Sequence, residues 1–213
     1  MSHAPGFGVA RRALASHERL MSAAPSSLSA VLLCGGASRR MGQDKGLLRE
    51  GGQTLVERGV AALRSHASEV VLACGASPRY AELGLPLALE DEPGQGPLAG
   101  FVAGLRACGG ERVLVAAVDL PRLGDCPLAE LVAEAITQDV DLAGFDDGRE
   151  RPPLVWVVRR SCLPALERAF DAGARRLLDG FDGLSMATVP VASALTVNWN
   201  TPEDIEAGRE GAA

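Results

Sequence analysis

Short runs of consecutive apolar residues alternate with segments of helical periodicity along the first 140 residues of the chain. Unbroken apolar runs of about four to eight residues are typical of strands buried on both faces of a parallel sheet, and a period of about 3.6 is typical of amphipathic helices. The pattern predicts strands at residues 30–34, 69–74, 86–89, 112–118, 141–144, 153–158, 186–191 and 196–197. It predicts helices at residues 53–66, 79–83, 98–107, 126–136, 161–171 and 174–180, with a last one starting at Thr201.

The alternation of strand and helix predicts an α/β fold, with a mostly parallel central sheet between two layers of helices. Ligands of such sheets bind beyond the carboxyl ends of the strands, so the loops at those ends are the places to look for chemistry. Residues 1–28 carry Pro, Gly and Ser without an apolar pattern, and we expect an extension that lacks its own core. Residues 29–210 are expected to form a single domain.

Composition narrows the class of function. The formal charge of −6 from 21 basic and 27 acidic residues argues against general nucleic-acid binding. No apolar run is long enough to span a membrane, and residues 11–19 are too charged for a secretory signal. The five cysteines are scattered without a Cys-x-x-Cys pair, as expected for reduced thiols, so a cytoplasmic location is predicted.

The loop after the first strand is the leading candidate for chemistry. Gly35 and Gly36 allow backbone N–H groups to approach a ligand, and Arg39, Arg40 and Lys45 add positive charge, which suits a nucleotide triphosphate. A loop whose cations simply face water is the alternative. The loop is no P-loop, because Lys45 precedes a glycine instead of following one, and it lacks the Gly-x-Gly-x-x-Gly fingerprint.

Two more candidates follow predicted strands. Asp119 ends the most apolar strand and precedes Leu-Pro, where its carboxylate could bind Mg²⁺ or merely cap the next segment. Gly96 and Gly100 flank the predicted start of a helix, whose free N–H groups could meet a ligand or simply begin a helix.

Asn198 and Asn200 alternate near the carboxyl terminus, so they would share a face of an extended segment. Their amides could bind a metal or a phosphate. Capping of the helix that follows is the alternative use of Asn200.

The motif Leu-x-Gly-Gly-x-Ser-x-Arg-Met-Gly-x-Asp-Lys, from Leu33 to Lys45, resembles the signature of Rossmann-like nucleotidyltransferases with the glycosyltransferase-A-like fold. Within them the chain is similar to the molybdenum cofactor guanylyltransferases, over residues 30–207. The resemblance implies transfer of GMP from GTP to molybdopterin, with release of pyrophosphate and with Mg²⁺ as cofactor. Transient contacts with cofactor-synthesis proteins or with molybdoenzyme targets are also implied.

The resemblance assigns roles to residues that match its motifs. It implies catalytic roles for Lys45, Arg39 and Asp119, and metal binding by Asp119 and Asn200, although related transferases have an acidic residue at the latter position. The implied nucleotide-binding residues are Leu33, Cys34, Gly35, Gly36, Lys45, Asp91, Gly96, Gly100 and Asp119. Those implied for the acceptor are Arg175, Asn198 and Asn200, and Arg149 lies in a stretch that resembles the family's pterin-binding segment.

Two alternatives stay open. A cytidylyltransferase of the same cofactor often has alanine where this chain has Gly35, and the missing methyl leaves room for the larger guanine base. A nucleotide-binding regulator without activity would be expected to have lost Lys45 or Asp119, and both are present.

Overall fold

A seven-stranded sheet forms the centre of the molecule in the computed structural model, which describes residues 28–35, 44–201 and 204–206. The strand order is β5-β4-β1-β6-β8-β7-β9, and only β8 runs antiparallel to its neighbours. The strands of this sheet are β1 (Leu28–Leu33), β4 (Glu69–Ala73), β5 (Leu87–Ala88), β6 (Arg112–Ala117), β7 (Leu142–Asp146), β8 (Val155–Arg159) and β9 (Met186–Pro190). A separate hairpin pairs β2 (Arg49–Glu50) with β3 (Gln53–Thr54).

Helices cover both faces of the sheet. They are α1 (Leu55–Arg64), α2 (Pro97–Ala107), α3 (Leu128–Thr137), α4 (Leu163–Asp171) and α5 (Leu177–Gly180). Helices α1 and α3 pack into one apolar cluster and α2, α4 and α5 into another. Alternate residues of each strand point to opposite faces, so β1 contributes Leu32 to the first cluster and Val31 to the second. The predicted three-layer sandwich with a mostly parallel sheet is confirmed.

Two helix glycines allow the close approach of helices to β1. A Cβ on Gly59 of α1 would lie 2.9 Å from both methyl carbons of Leu32. On the other face, a Cβ on Gly104 of α2 would lie 2.9 Å from Cγ2 of Val31. Strand β1 is therefore clamped between two helix backbones, which fixes the strand whose end begins the first loop.

Several predicted elements differ from the structure: the predicted helix at residues 79–83 is a single 3-10 turn at Ala81–Leu83, and the one at residues 174–180 starts only at Leu177. Helix α1 starts at Leu55, not at residue 53, because Thr54 and Glu57 form a reciprocal capping box and Gln53–Thr54 pairs as β3. Residues 196–197 form no strand. The Thr196 hydroxyl donates instead to the Asp147 carboxylate, at 2.7 Å, directly after a single 3-10 turn at Ser193–Leu195.

The contacts of Thr201 are those of a helix N-cap, as the sequence predicted. The Asp204 amide donates to the Thr201 hydroxyl at 3.3 Å, and the Asp204 carboxylate accepts from the amides of Asn200 and Thr201, both at 2.8 Å. Residues 204–206 are helical. Asn200 is thereby held at the entrance to this helix by its own backbone.

The carboxyl ends of β1, β4, β5 and β6 lie along one edge of the sheet, because these neighbouring strands are parallel. The loops that leave this edge contain Gly35, Gly75, Glu90 and Asp119. No helix in the described ranges is long and apolar enough to cross a bilayer.

Candidate active site

The ammonium group of Lys45 joins three sequence-predicted residues into one site. Its Nζ donates to Oδ2 of Asp119 at 3.3 Å and to Oδ1 of Asn200 at 2.5 Å. The side chains of Lys45 and Asp119 are only 20% and 17% exposed, so their attraction is weakly screened by solvent. Residues separated by 155 positions in the chain thus meet at the edge where the sequence predicted a ligand.

A network of hydrogen bonds and an ion pair centred on Asp44 positions Lys45. The Asp44 carboxylate accepts from the Gly46 amide at 3.0 Å, which caps the 3-10 turn Lys45–Leu47. The same carboxylate pairs with the Arg79 guanidinium at 3.1 Å and accepts from the Tyr80 hydroxyl. Because Asp44 precedes Lys45 directly, this network fixes the backbone from which the ammonium group extends.

Arg79 ties that network to the sheet. Its Nη2 donates to the carbonyl oxygens of Cys34 at 3.1 Å and of Cys74 at 3.2 Å, which follow β1 and β4. The loop of Lys45 is therefore anchored to the carboxyl ends of two central strands. A Cβ on Gly46 would overlap the Tyr80 ring, so glycine is required there for the close contact.

The segment with the two asparagines docks on the end of β6. The Trp199 amide donates to the Asp119 carbonyl at 2.9 Å, and the Trp199 side chain is buried in the apolar cluster of α1 and α3. Since Trp199 lies between Asn198 and Asn200, its anchorage brings both amide side chains to the Asp119 end of the sheet.

The electrostatics of the site leave unused acceptors for a cation. Burial raises the pKa of the Asp119 carboxyl, and the Lys45 ammonium beside it offsets part of that rise. Oδ1 of Asp119 and Oδ1 of Asn198 are buried and have no hydrogen-bond partner among the described residues. Carboxylate and amide oxygens are ligands that Mg²⁺ accepts, so the donor set fits this ion.

A metal here would depend on the substrate for further ligands. In the described part of the chain, no group of three or more His, Cys, Asp or Glu side chains could hold a metal ion. Oδ1 of Asn200 already accepts from Lys45. One carboxylate with amide oxygens, phosphate oxygens and water is a usual environment for Mg²⁺ at nucleotides.

A cavity of about 740 Å³ opens beside this edge. It is lined by four predicted nucleotide-binding residues, Leu33, Gly35, Gly96 and Gly100, and also by Gly75, Arg79 and Glu90. The volume is sufficient for a nucleotide. Five of the fourteen lining residues are glycines, which expose backbone groups to a ligand.

Helix α2 begins at this cavity. Gly96 is its N-cap with φ of 87°, a conformation that favours glycine, and Pro97 occupies its first turn. A Cβ on Gly96 would lie 2.7 Å from the carbonyl oxygen of Arg175. Both observations explain why glycine occurs at this helix start, whose N-terminal dipole favours an anion.

Three predicted site residues lie elsewhere. Cys34 is buried with its thiol toward the Leu32 carbonyl, so only its backbone reaches the loop. Asp91 is exposed and lines a second cavity of about 630 Å³. Arg175 lines that second cavity too, stacked on Phe170 with 4.5 Å between its guanidinium carbon and the ring centre.

The acceptor residues do not form one cluster. Arg175 donates to the carbonyl oxygens of Phe170 and Ala174, and no hydrogen bond within the described residues links it to Asn198 or Asn200. Arg149 is engaged with the main chain, donating to the carbonyl oxygen of Ser193 at 3.0 Å. Gly36, Arg39 and Arg40 lie outside the described residues.

Four residues of the site were not identified from the sequence: Asp44, Arg79, Tyr80 and Glu90. Asp44 stands in the quoted motif next to Lys45, and this adjacency could have suggested its role. Arg79 and Tyr80 follow a different strand, so only the structure shows that they hold the loop. Glu90 is one of three consecutive acidic residues, which the sequence does not rank.

The chain is similar to known proteins over most of its length. The sequence profile of the MobA-like NTP transferase domain matches residues 30–188. The "Probable molybdenum cofactor guanylyltransferase" of Chloroflexus aggregans is 34% identical, over 84% of this chain and 92% of that protein. The protein of the same name from Carboxydothermus hydrogenoformans is 32% identical, over 84% of this chain and 94% of that protein.

A solved structure is similar as well. It is the molybdopterin-guanine dinucleotide biosynthesis protein A of Archaeoglobus fulgidus, with a TM-score of 0.69 and 25% identity over 86% of this chain and 98% of that one. The profile match alone covers most of the described chain. The chain belongs to the MobA-like NTP transferase family.

Proposed function

We propose that this protein transfers GMP from GTP to molybdopterin and releases pyrophosphate. The observation that carries the proposal is the contact of Lys45 with both Asp119 and Asn200 beside a nucleotide-sized cavity. Relatives that match most of the chain are named molybdenum cofactor guanylyltransferases, which supports the same reaction.

In the proposed reaction, a phosphate oxygen of molybdopterin attacks the α-phosphorus of GTP. A new phosphorus–oxygen bond forms to the acceptor, and the bond from the α-phosphorus to the bridging oxygen of pyrophosphate breaks. The attacking oxygen is already ionised, so no general base is needed. Orientation and neutralisation of charge supply most of the rate in such transfers.

The chain's own residues have separate tasks in this proposal. Lys45 neutralises charge on the triphosphate, because its ammonium group is a compact cation at the end of the first loop. Backbone amides near Gly35 and at the start of α2 hold the nucleotide. From the sequence motif alone, Arg39 and Gly36 are proposed to bind the phosphates of the nucleotide. Asp91 is proposed, also from the sequence alone, to bind near its base.

Asp119 is the proposed ligand of Mg²⁺, with Asn200 as the second ligand suggested by the family pattern. The buried, unpartnered Oδ1 of Asp119 supports this role. When bound, the ion would neutralise charge on the phosphate oxygens. Asn198 and Asn200 are proposed to face the acceptor, with Arg175 contributing from the neighbouring cavity.

The proposed setting is the cytoplasm. All five cysteines are unpaired and buried, as expected in a reducing compartment. Passage of the product to molybdoenzymes implies transient contacts with other proteins, and we propose these contacts together with the reaction.

A cytidylyltransferase is the main rival, and nucleotide choice separates the two. With molybdopterin and Mg²⁺, the purified protein should release pyrophosphate from GTP far faster than from CTP, because the chain has Gly35 where cytidylyltransferases of this cofactor often have alanine. Faster turnover of CTP would contradict the proposal. Binding of GTP without any release of pyrophosphate would instead indicate a regulator without activity.

A further inference from the structure

Glu90 lines the 740 Å³ cavity beside the carboxyl edge of the sheet. It follows β5, and its amide donates to the Gly75 carbonyl at 2.9 Å, which fixes its backbone at the carboxyl edge of the sheet. Its side chain extends between two glycines of the cavity wall. A Cβ on Gly35 would lie 3.3 Å from Oε1 of Glu90, and a Cβ on Gly100 would lie 3.2 Å from it.

The carboxylate of Glu90 is distinct from its acidic neighbours. Glu90 is partly buried and lines both cavities, whereas Asp91 and Glu92 are exposed and line only the second one. Glu92 already accepts from the Gln95 amide at 3.0 Å. In the described part of the chain, neither a hydrogen bond nor an ion pair engages the Glu90 carboxylate, and burial raises its pKa. A partly desolvated acceptor in a glycine-walled slot is suited to a ligand with paired donors.

We infer that Glu90 is the residue that selects guanine, by accepting hydrogen bonds from N1–H and from the N2 amino group of the base. This inference rests on the proposed use of GTP. The two donors of guanine are adjacent and match the two oxygens of a carboxylate, and bonds to an ionised acceptor are the stronger kind. Cytosine presents ring acceptors N3 and O2 beside its amino group, and these would face the negative charge.

The inference also gives a mechanism to Gly35. A methyl group at this position would lie 3.0 Å from the Gly75 amide nitrogen and 3.3 Å from the Glu90 carboxylate, which is closer than packed atoms usually come. Gly35 therefore favours guanine by leaving the Glu90 carboxylate in its place. Residue 35 acts on the base through Glu90, and the two positions should be energetically coupled.

The test replaces one carboxylate oxygen by an amide. Glu90→Gln keeps the shape of the side chain but offers one acceptor and one donor. This pair suits xanthine, which has a carbonyl at C2 where guanine has an amino group. We expect kcat/KM for GTP to fall by about 10- to 100-fold and the preference for GTP over XTP to shrink by more than that.

Glu92→Gln is the matched control, since it removes the same charge two residues away on an exposed side chain. It should leave the ratio of GTP to XTP unchanged. Gain of XTP use cannot result from a variant that merely folds poorly, so the readout separates recognition from stability. An unchanged ratio in Glu90→Gln would overturn the inference.

Gly35→Ala supplies the second measurement. It should lower the preference for GTP over ITP, which lacks the N2 amino group, and should have little further effect when Glu90 is already Gln. Full additivity of the two changes would contradict the coupling. Calorimetric binding of GTP, XTP and ITP decides the role of Glu90 separately. Failure of wild-type transfer would refute only the proposed reaction.

Discussion

At the scale of single residues, Lys45 stands apart from the other cations of the chain. It is the sole lysine among 21 basic residues, and all the others are arginines. An ammonium group is a compact point charge with rotatable donors, whereas a guanidinium is a planar fork. The contact of Lys45 with Asp119 and Asn200 uses this compact shape in a narrow space.

Removal of the charge at Lys45 should therefore reduce turnover strongly. We expect Lys45→Ala to raise the barrier by about 3–4 kcal/mol, a loss of some hundredfold or more in kcat, because a preorganised donor to the phosphates is gone. Steady-state release of pyrophosphate from GTP is the measurement. Arg64→Ala removes an exposed cation at the end of α1 and should keep wild-type turnover. Near-normal turnover in Lys45→Ala would remove this residue from the site.

Ser29 shows how one buried hydroxyl joins three strand starts. Its hydroxyl donates to Glu69 at 2.6 Å and accepts from the Gly110 amide at 2.8 Å, and the Gly109 amide also donates to Glu69 at 3.0 Å. The hydrogen bond from the Ser29 hydroxyl lowers the pKa of Glu69 below its ordinary value, and the bond from the Gly109 amide lowers it further. The Glu69 carboxylate therefore stabilises the fold above the ordinary glutamate pKa, and this contribution is lost as pH falls through the lowered folded value.

Ser29→Ala should show that dependence on pH. We expect the free energy of unfolding to drop by about 1–3 kcal/mol near neutral pH, because buried partners lose a hydrogen bond. The deficit should narrow as pH falls below the lowered pKa of Glu69, where the carboxyl group is protonated in both proteins. Urea unfolding of both proteins across this range is the measurement. A deficit that stays constant with pH would mean that the bond to Glu69 contributes little.

At the scale of elements, the position of β1 depends on the helix glycines on either side of it. Gly104 lies against Val31, and an added Cβ would be 2.9 Å from Cγ2 and closer still to Cγ1. The branched side chain of valine has few alternative rotamers, so it cannot easily withdraw. The helix must shift instead, and the start of α2 at Gly96 would move with it.

Gly104→Ala should thus destabilise the protein even though alanine favours helix. We expect a loss of about 1–3 kcal/mol from overpacking, against a gain of up to about 1 kcal/mol from helix propensity. The same change in a Val31→Ala background should be neutral or stabilising, since the clashing methyl groups are absent. Urea unfolding of the four proteins measures the coupling. Equal losses in both backgrounds would show that Gly104 is not packed as described.

Prediction of strands from the sequence succeeded for the buried central strands and failed for some short segments. Long apolar runs predicted the central strands, because burial on both faces leaves no polar positions in them. The hairpin β2–β3 was missed, since its strands have two residues each and carry no periodic signal. Residues 196–197 are both β-branched, which suggested a strand, but they form none, and the Thr196 hydroxyl donates to the Asp147 carboxylate instead.

At the scale of the whole molecule, the sequence predicted residues that meet in the candidate site. It did not predict all the residues that hold them in position. Lys45, Asp119 and Asn200 were named from their motifs, and parallel strand ends explain why they converge. Glu90 could not be chosen over Asp91 and Glu92, because only the backbone after β5 decides which of the three faces the cavity. The roles of Arg79 and Tyr80 were likewise not predicted, because both side chains contact Asp44, which lies far from them in the sequence.

We propose that the site around Lys45 and Asp119 transfers the GMP part of GTP. The most direct measurement compares GTP labelled with ³²P at the α-phosphate with GTP labelled at the γ-phosphate, in the presence of molybdopterin and Mg²⁺. Label from the α-phosphate should appear in the pterin product, and label from the γ-phosphate should leave entirely as pyrophosphate. Transfer of the γ-label to the pterin, or consumption of GTP with no label in the pterin, would contradict the account.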